Sequence, residues 1–141
     1  METPMRDAAF TLVKQYYQAF NAGDMPAFLD LLTDDVIHDI NQGGREIGKQ
    51  AFAAFMTRMN QCYEEQLVDI EVMVSADGQR AAAEFVVLGR YLNNDEGLPQ
   101  AKGQSYRLPA GAFFELRDAR VARISNYYNL NDWLEQVGGA V

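Results

Sequence analysis

The run from Tyr16 to Ile40, YYQAFNAGDMPAFLDLLTDDVIHDI, leaves few folds open to this chain. Upstream of it, Phe10, Val13, Tyr17 and Phe20 recur at helical spacing, with Tyr16 on an adjacent flank. Asn21-Ala22-Gly23 then predicts a stop, because glycine takes the left-handed cap conformation cheaply. Asp24 can cap a second, short helix with Pro26 in its first turn, and Phe28, Leu31 and Leu32 on its inner face. The paired acids Asp34-Asp35 read as a turn into a strand from Val36 to Asn41. That strand carries His38, the only histidine of the chain. Histidine is the side chain whose ordinary pKa lies nearest neutrality, so the same stretch that limits the fold also offers one candidate for chemistry.

The rest of the chain extends this pattern. Pro4 suits the start of the first helix, where a missing N–H costs nothing. Gln42-Gly43-Gly44 is a turn, and Arg45-Glu46-Ile47 reads as a short return strand. A third helix is expected from about Lys49 to Cys62, with Phe52, Phe55, Met56 and Met59 as its apolar face. Four strands should follow. Gln66 to Ser75 places Val68, Ile70, Val72 and Val74 on one side and Asp69, Glu71 and Met73 on the other. Asp77-Gly78 is a hairpin turn into Arg80–Leu92. A loop from Asn93 to about Gly103 leads to Gln104–Leu116, a strand expected to be interrupted near Pro109-Ala110-Gly111, where proline implies an edge or a bulge. Val121 to Asn129 is the last strand, and the segment around Trp133 closes the chain as a helix or helical turn. Three helices followed by hairpin-linked strands predict an α+β fold in one domain, residues 1–141, with the helices on one face of a curved, largely antiparallel sheet. Such a cone has a mouth that admits a small ligand.

Composition narrows the function. A net charge of −8 argues against nucleic acid and anionic membranes as partners, since both call for basic patches. No segment reaches the length of a membrane span. The N-terminus METPMRDAAF has no apolar signal region and carries acids early, which predicts a cytoplasmic protein. Cys62 is alone, so an intramolecular disulfide and a cysteine-based metal cluster are both ruled out. With one histidine besides, no metal and no cofactor is expected. Gln42-Gly43-Gly44-Arg45 lacks the spacing of a phosphate-binding loop.

The pattern formed by Tyr16, Ala19, Asn21, Gly23 and Asp24, followed by the short helix, the acidic pair and the strand, resembles the ketosteroid-isomerase-like branch of the nuclear transport factor 2 superfamily. Gly111-Ala112-Phe113-Phe114-Glu115-Leu116 and Arg123-Ile124-Ser125-Asn126-Tyr127-Tyr128-Asn129 resemble the last two strands of SnoaL-type polyketide cyclases and of limonene epoxide hydrolase. The resemblance spans nearly the whole chain. It implies a cone of the cystatin-like roll type, an apolar small-molecule ligand of steroid or polyketide kind, and acid/base chemistry without a cofactor. A homodimer through the outer sheet face is expected from the residues themselves, because both sides of the later strands carry apolar or aromatic side chains such as Val121 and Tyr127. Matched position by position, it puts Tyr16 where ketosteroid isomerases hold a hydroxyl donor. Their base aspartate falls on Ile40 and their protonated aspartate at about Ala112. The acid/base aspartate of the cyclases falls on Asn126, and an amide is no carboxylate base. The arginine–aspartate pair of the hydrolase meets Arg90 and Tyr91. Each template mechanism therefore lacks an essential carboxylate.

His38 is left as the candidate base. Strand periodicity puts it on one face with Val36 and Ile40, while Ile37, Asp39 and Asn41 take the more polar face. The candidate catalytic set is thus His38 as base, with Tyr16 and Asn126 as hydrogen-bond partners of an oxyanion. Asp39, Phe20, Phe55 and Met59 are candidates for the substrate-binding wall, Asp39 only if a bulge at Gln42-Gly43-Gly44 re-aims it. Tyr91, Phe114, Tyr128 and Trp133 complete that set. Two readings stay open beside an isomerase or cyclase: a ligand-binding or accessory protein without catalysis, and a protein-interaction module.

Overall fold

A computed structural model describes residues 2–138, with side chains from Met5 onward. Helix α1 spans Glu2–Ala22 and α2 spans Met25–Asp30. Strands β1 (Leu32–Asp39) and β2 (Arg45–Ile47) form a short hairpin, followed by α3 (Lys49–Cys62). Then come β3 (Tyr63–Val74), β4 (Arg80–Tyr91), β5 (Gln104–Arg117), β6 (Arg120–Tyr128) and α4 (Leu130–Gly138). The strands form one sheet in the order β2-β1-β6-β5-β4-β3. Among the described residues only the β1–β6 pairing is parallel, so this α+β sheet is mixed.

The junction between the first two helices forms as the sequence predicts. Gly23 has a φ of 68°, and its N–H donates to the Phe20 carbonyl at 3.1 Å, ending α1 in the left-handed cap. Asp24 accepts a hydrogen bond from the Ala27 N–H at 3.1 Å and caps α2. The buried face of α1 carries Leu12, Val13, Tyr16 and Tyr17. Phe10 departs from the expected stripe. It stays 42% exposed, flanking that face, with the Lys14 ammonium over its ring.

The strands bring three corrections. Asp34 and Asp35 form no turn; they lie inside β1, where the register against β6 shifts between Leu32 and Ile37. This irregularity leaves both acids in solvent, near Lys49 and Arg117. In β3 the alternation breaks: Asp69 has a φ of 54°, and the pairing to β4 slips by one residue between Val68 and Glu71. Because a one-residue bulge exchanges the two faces, Val68 does not share a face with Ile70, Val72 and Val74. Tyr63, Glu65 and Leu67 take the inner face ahead of the bulge. Strand β5, finally, runs unbroken through Pro109. Its pairing with β6 begins only at Ala110, so up to Pro109 its β6 side is a free edge and the missing N–H costs no ladder bond there. Gln136 of α4 covers part of that edge, accepting from the Arg107 N–H and donating to its carbonyl, both at 2.9 Å.

Candidate functional site

Helices α1, α2 and α3 pack on the concave face of the sheet, with α4 across its end. They enclose a cavity of about 330 Å³, a size that suits a small ligand. Tyr16, His38, Asn126, Tyr128 and Trp133 are in its wall, as are Phe20, Phe55 and Met59. The remaining candidates are placed elsewhere. Phe114 is fully buried behind Tyr16, with ring centroids 5.3 Å apart. Tyr91 is equally buried, donating to the Pro99 carbonyl at 2.7 Å and accepting from the Asp95 N–H at 3.0 Å. Those bonds hold the segment after β4 against the cavity, and Asp95 and Leu98 enter its wall.

Asp39 is on the outer face. Arg45 makes two hydrogen bonds to its carboxylate, at 2.6 and 3.1 Å, and the Ser125 hydroxyl donates to it at 2.5 Å. The turn after β1 does not re-aim it, because Arg45 sits directly opposite Asp39 in the hairpin register. Arg45 chiefly, with Ser125 and the charge of Arg123, holds the Asp39 carboxyl down at about 2. A carboxylate so paired is a poor base near neutral pH.

His38 points inward, as strand parity requires, and only 2% of it is exposed. Its ring stacks on Phe52, with centroids 4.3 Å apart and planes 3° from parallel, and meets Phe55 edge-on at 4.6 Å. Burial between these apolar rings lowers its pKa from the ordinary 6.5, against the opposing pull of Glu46 and Asp39. The imidazole is therefore neutral near pH 7 and able to accept a proton. Glu46 lies opposite His38 in the β1–β2 register. Its Oε1 stands 3.9 Å from His38 Nδ1, and neither atom has a hydrogen-bond partner among the described residues. Sequence reasoning passed over Glu46, although the hairpin register that faces it to His38 was within reach.

Tyr16 packs among Tyr17, Phe28 and Phe114. Burial pushes its hydroxyl pKa well up, so it remains a protonated donor.

The second group that sequence reasoning missed is Glu65. It lies in the cavity wall on β3, where the Tyr106 hydroxyl donates to its Oε2 at 2.5 Å. No ion pair among the described residues includes it. Part of Glu65 stays accessible, as befits a cavity wall, yet the surrounding protein desolvates the carboxyl and raises its pKa, against the Tyr106 hydrogen bond. The signal that would have found it is the β3 bulge, since without the bulge Glu65 counts with the outward acids Asp69 and Glu71.

A curved mixed sheet wrapped round an apolar cavity, with three helices before the long strands, defines the nuclear transport factor 2-like class. Residues 13–124 match the SnoaL-like domain, and the chain belongs to that family. It is 67% identical to a candidate polyketide cyclase of known structure from Pseudomonas putida KT2440, over 92% of this chain and 97% of the other, with a TM-score of 0.91. A second candidate polyketide cyclase, from Xanthomonas campestris pv. campestris, is 55% identical over 94% and 98% of the two chains, again with a TM-score of 0.91. An NTF2-like protein of unknown function from Burkholderia pseudomallei K96243 shares the fold at 18% identity, with a TM-score of 0.79 over 94% and 98%. No curated protein matches the chain. No helix among the described residues is long and apolar enough to cross a membrane.

Proposed function

We propose that the protein binds an apolar carbonyl compound in its cavity and moves a proton on it without a cofactor, as an isomerase or cyclase does. The observation that carries this reading is His38: a neutral imidazole in the wall of an apolar cavity, with Tyr16 and Asn126 in the same wall. In this reaction His38 takes a proton from the carbon beside the carbonyl. Tyr16 and Asn126 hydrogen-bond the oxyanion that forms, and the proton returns at another position. The likeness to candidate polyketide cyclases supports the carbonyl as the reacting group.

The probe is β-tetralone, an apolar enolisable ketone, whose carbon-bound protons exchange with deuterium oxide in a reaction followed by NMR. The wild-type protein should speed the exchange. His38→Ala should slow it by ~10²–10⁴-fold, the usual worth of a positioned base. His38→Gln should bind the ketone nearly as well and exchange it as slowly. If the wild type binds the ketone and leaves exchange at the buffer rate, the protein is a binding protein. The loss of the family carboxylates at Ile40, Ala112 and Asn126 favours that second reading.

The same reading includes a homodimer through the outer face of the sheet. Val121 is buried in the core and gives that face nothing, but Phe113 and Tyr127 are more than half exposed there, their rings 5.6 Å apart, and Met73 is exposed alongside. Sedimentation should show a dimer at micromolar concentration, and Tyr127→Glu should give a monomer. A wild-type monomer at high micromolar concentration would refute it.

A further inference from the structure

Glu65, Gly89 and Tyr106 form one row across three strands. Glu65 on β3 pairs with Gly89 on β4, and Gly89 pairs with Tyr106 on β5. The tyrosine side chain crosses the middle strand directly over the glycine. A Cβ at Gly89 would lie 2.2 Å from the Tyr106 ring and 2.5 Å from its hydroxyl oxygen. Only a residue without a side chain lets the ring pass, and the ring sets its hydroxyl 2.5 Å from Glu65 Oε2. Trp133 meets the same ring edge-on at 6.0 Å. The carboxyl is thus held by a specific arrangement of three strands and a helix, and it forms no ion pair among the described residues. A carboxyl placed in a cavity wall without a counter-ion costs free energy that an apolar side chain would not.

The position of this row matters as much as its construction. His38 lies on β1 and Glu65 on β3, with β6, β5 and β4 between them in the sheet order. Both side chains line one cavity, so the curvature of the sheet sets them in different walls around whatever it holds. Tyr106 donates to Oε2, which leaves Oε1 as the oxygen that can carry a proton into the cavity.

We propose that Glu65, positioned by Tyr106, is a second proton-transfer group, the acid that complements His38, and that the substrate class is β-hydroxycarbonyl compounds that lose water. This rests on the proposed function, in which His38 is the base. His38 takes the proton from the carbon beside the carbonyl, and the electrons of that C–H bond form the new C=C bond. The C–O bond on the next carbon breaks, its electrons staying on oxygen, and the Glu65 carboxyl gives that oxygen its proton. The products are the α,β-unsaturated carbonyl compound and water. His38 is left protonated and Glu65 ionised, and solvent exchange returns the proton from one to the other. No oxidant or reductant is involved. Glu65 is the catalytic residue of this step, and Tyr106 is a positioning residue.

The probe is the aldol of benzaldehyde and acetone, which loses water to give benzalacetone. Both water loss and exchange of its carbon-bound protons are followed in deuterium oxide. The wild type should speed both, and His38→Ala should slow both. Glu65→Gln should slow water loss by ~10²–10⁴-fold and exchange by far less, because it removes an acid and leaves the base. Glu64→Gln, on the solvent side of the same strand, should behave as wild type. Independently of turnover, carbon-13 NMR of labelled glutamate carboxyls should show one group titrating above the ordinary 4.5, absent from Glu65→Gln. Tyr106→Phe should move that titration, and the alkaline limb of the water-loss profile, to still higher pH, because the lost hydrogen bond favours the anion. Exchange with no water loss, water loss at the wild-type rate in Glu65→Gln, or a Glu65 titration in the ordinary range would each overturn the proposal and leave His38 as base. A wild type that does not exchange the probe would remove both the base and this step.

Discussion

Asp39 and Glu65 are both carboxylates on strands near opposite ends of one sheet, and their surroundings push them in opposite directions. Asp39 faces out, is clamped by Arg45 and Ser125, and is held down at about 2. Glu65 faces the cavity, accepts from one tyrosine hydroxyl, forms no ion pair among the described residues, and has its pKa raised by desolvation. The first is a fixed negative charge throughout the neutral range. The second can hold a proton when the first cannot. The contrast shows that the presence of a carboxylate near a candidate site says little about acid/base work until its face and its partners are known.

The largest expected effect comes from Gly89→Ala. The new methyl displaces the Tyr106 ring, so urea unfolding should show a loss of about 1–3 kcal/mol, the ordinary cost of overpacking. The Glu65 titration should also move up, as in Tyr106→Phe. An unchanged stability and an unchanged titration would mean that the row has enough slack to make the glycine incidental, and the contrast would lose its structural basis.

Next in size is Glu65→Gln, read as stability against pH. A group with a raised pKa in the folded state binds more protons there than in the unfolded chain. Its folded form is therefore at no disadvantage below the ordinary 4.5 and loses stability as pH rises through the folded value. Glu65→Gln should match wild type at pH 4 and be the more stable of the two at pH 8. A gain at low pH, or none at high pH, would place Glu65 in the same class as Asp39.

Asp39→Asn should give the smallest effect, with the opposite sign. A lowered carboxyl contributes stability above its ordinary 3.8 and loses it as pH falls through about 2. The variant should be less stable by about 1 kcal/mol or less at pH 7, since the pair is partly exposed, and the deficit should shrink below pH 4. A constant deficit at all pH values would show that packing, and not charge, is what Asp39 supplies.

His38 sharpens the contrast from the cationic side. Its lowered pKa means that the unfolded chain takes up a proton first, so stability should fall as pH drops below the ordinary 6.5. His38→Gln should flatten that fall, as measured by unfolding between pH 7 and pH 5.

Much of this architecture was legible before any coordinates. The glycine stop at Gly23, the capping carboxylate of Asp24, the α3 bounds and the hairpin at Asp77-Gly78 are local signals, each set by backbone conformation or by apolar period. The inward face of His38 followed from counting along a short strand that stays regular from Val36 onward. Asn126, and Tyr16, Phe20, Phe55 and Met59 of α1 and α3, were likewise expected in the cavity and do line it, whereas Tyr17, Phe52 and Met56 line it without having been singled out for it. What the sequence could not decide was register across strands. The extra residue at Asp69 changes which acids of β3 face the cavity, and nothing near Glu65 announces it. The clamp on Asp39 joins residues from β1, β2 and β6, and the row under Tyr106 joins β3, β4 and β5. Side-chain periodicity is local, so the chain alone sets which residues alternate. Partnership depends on how distant strands are aligned, and that alignment exists only in the assembled sheet, where the surroundings of each carboxylate decide which can hold a proton.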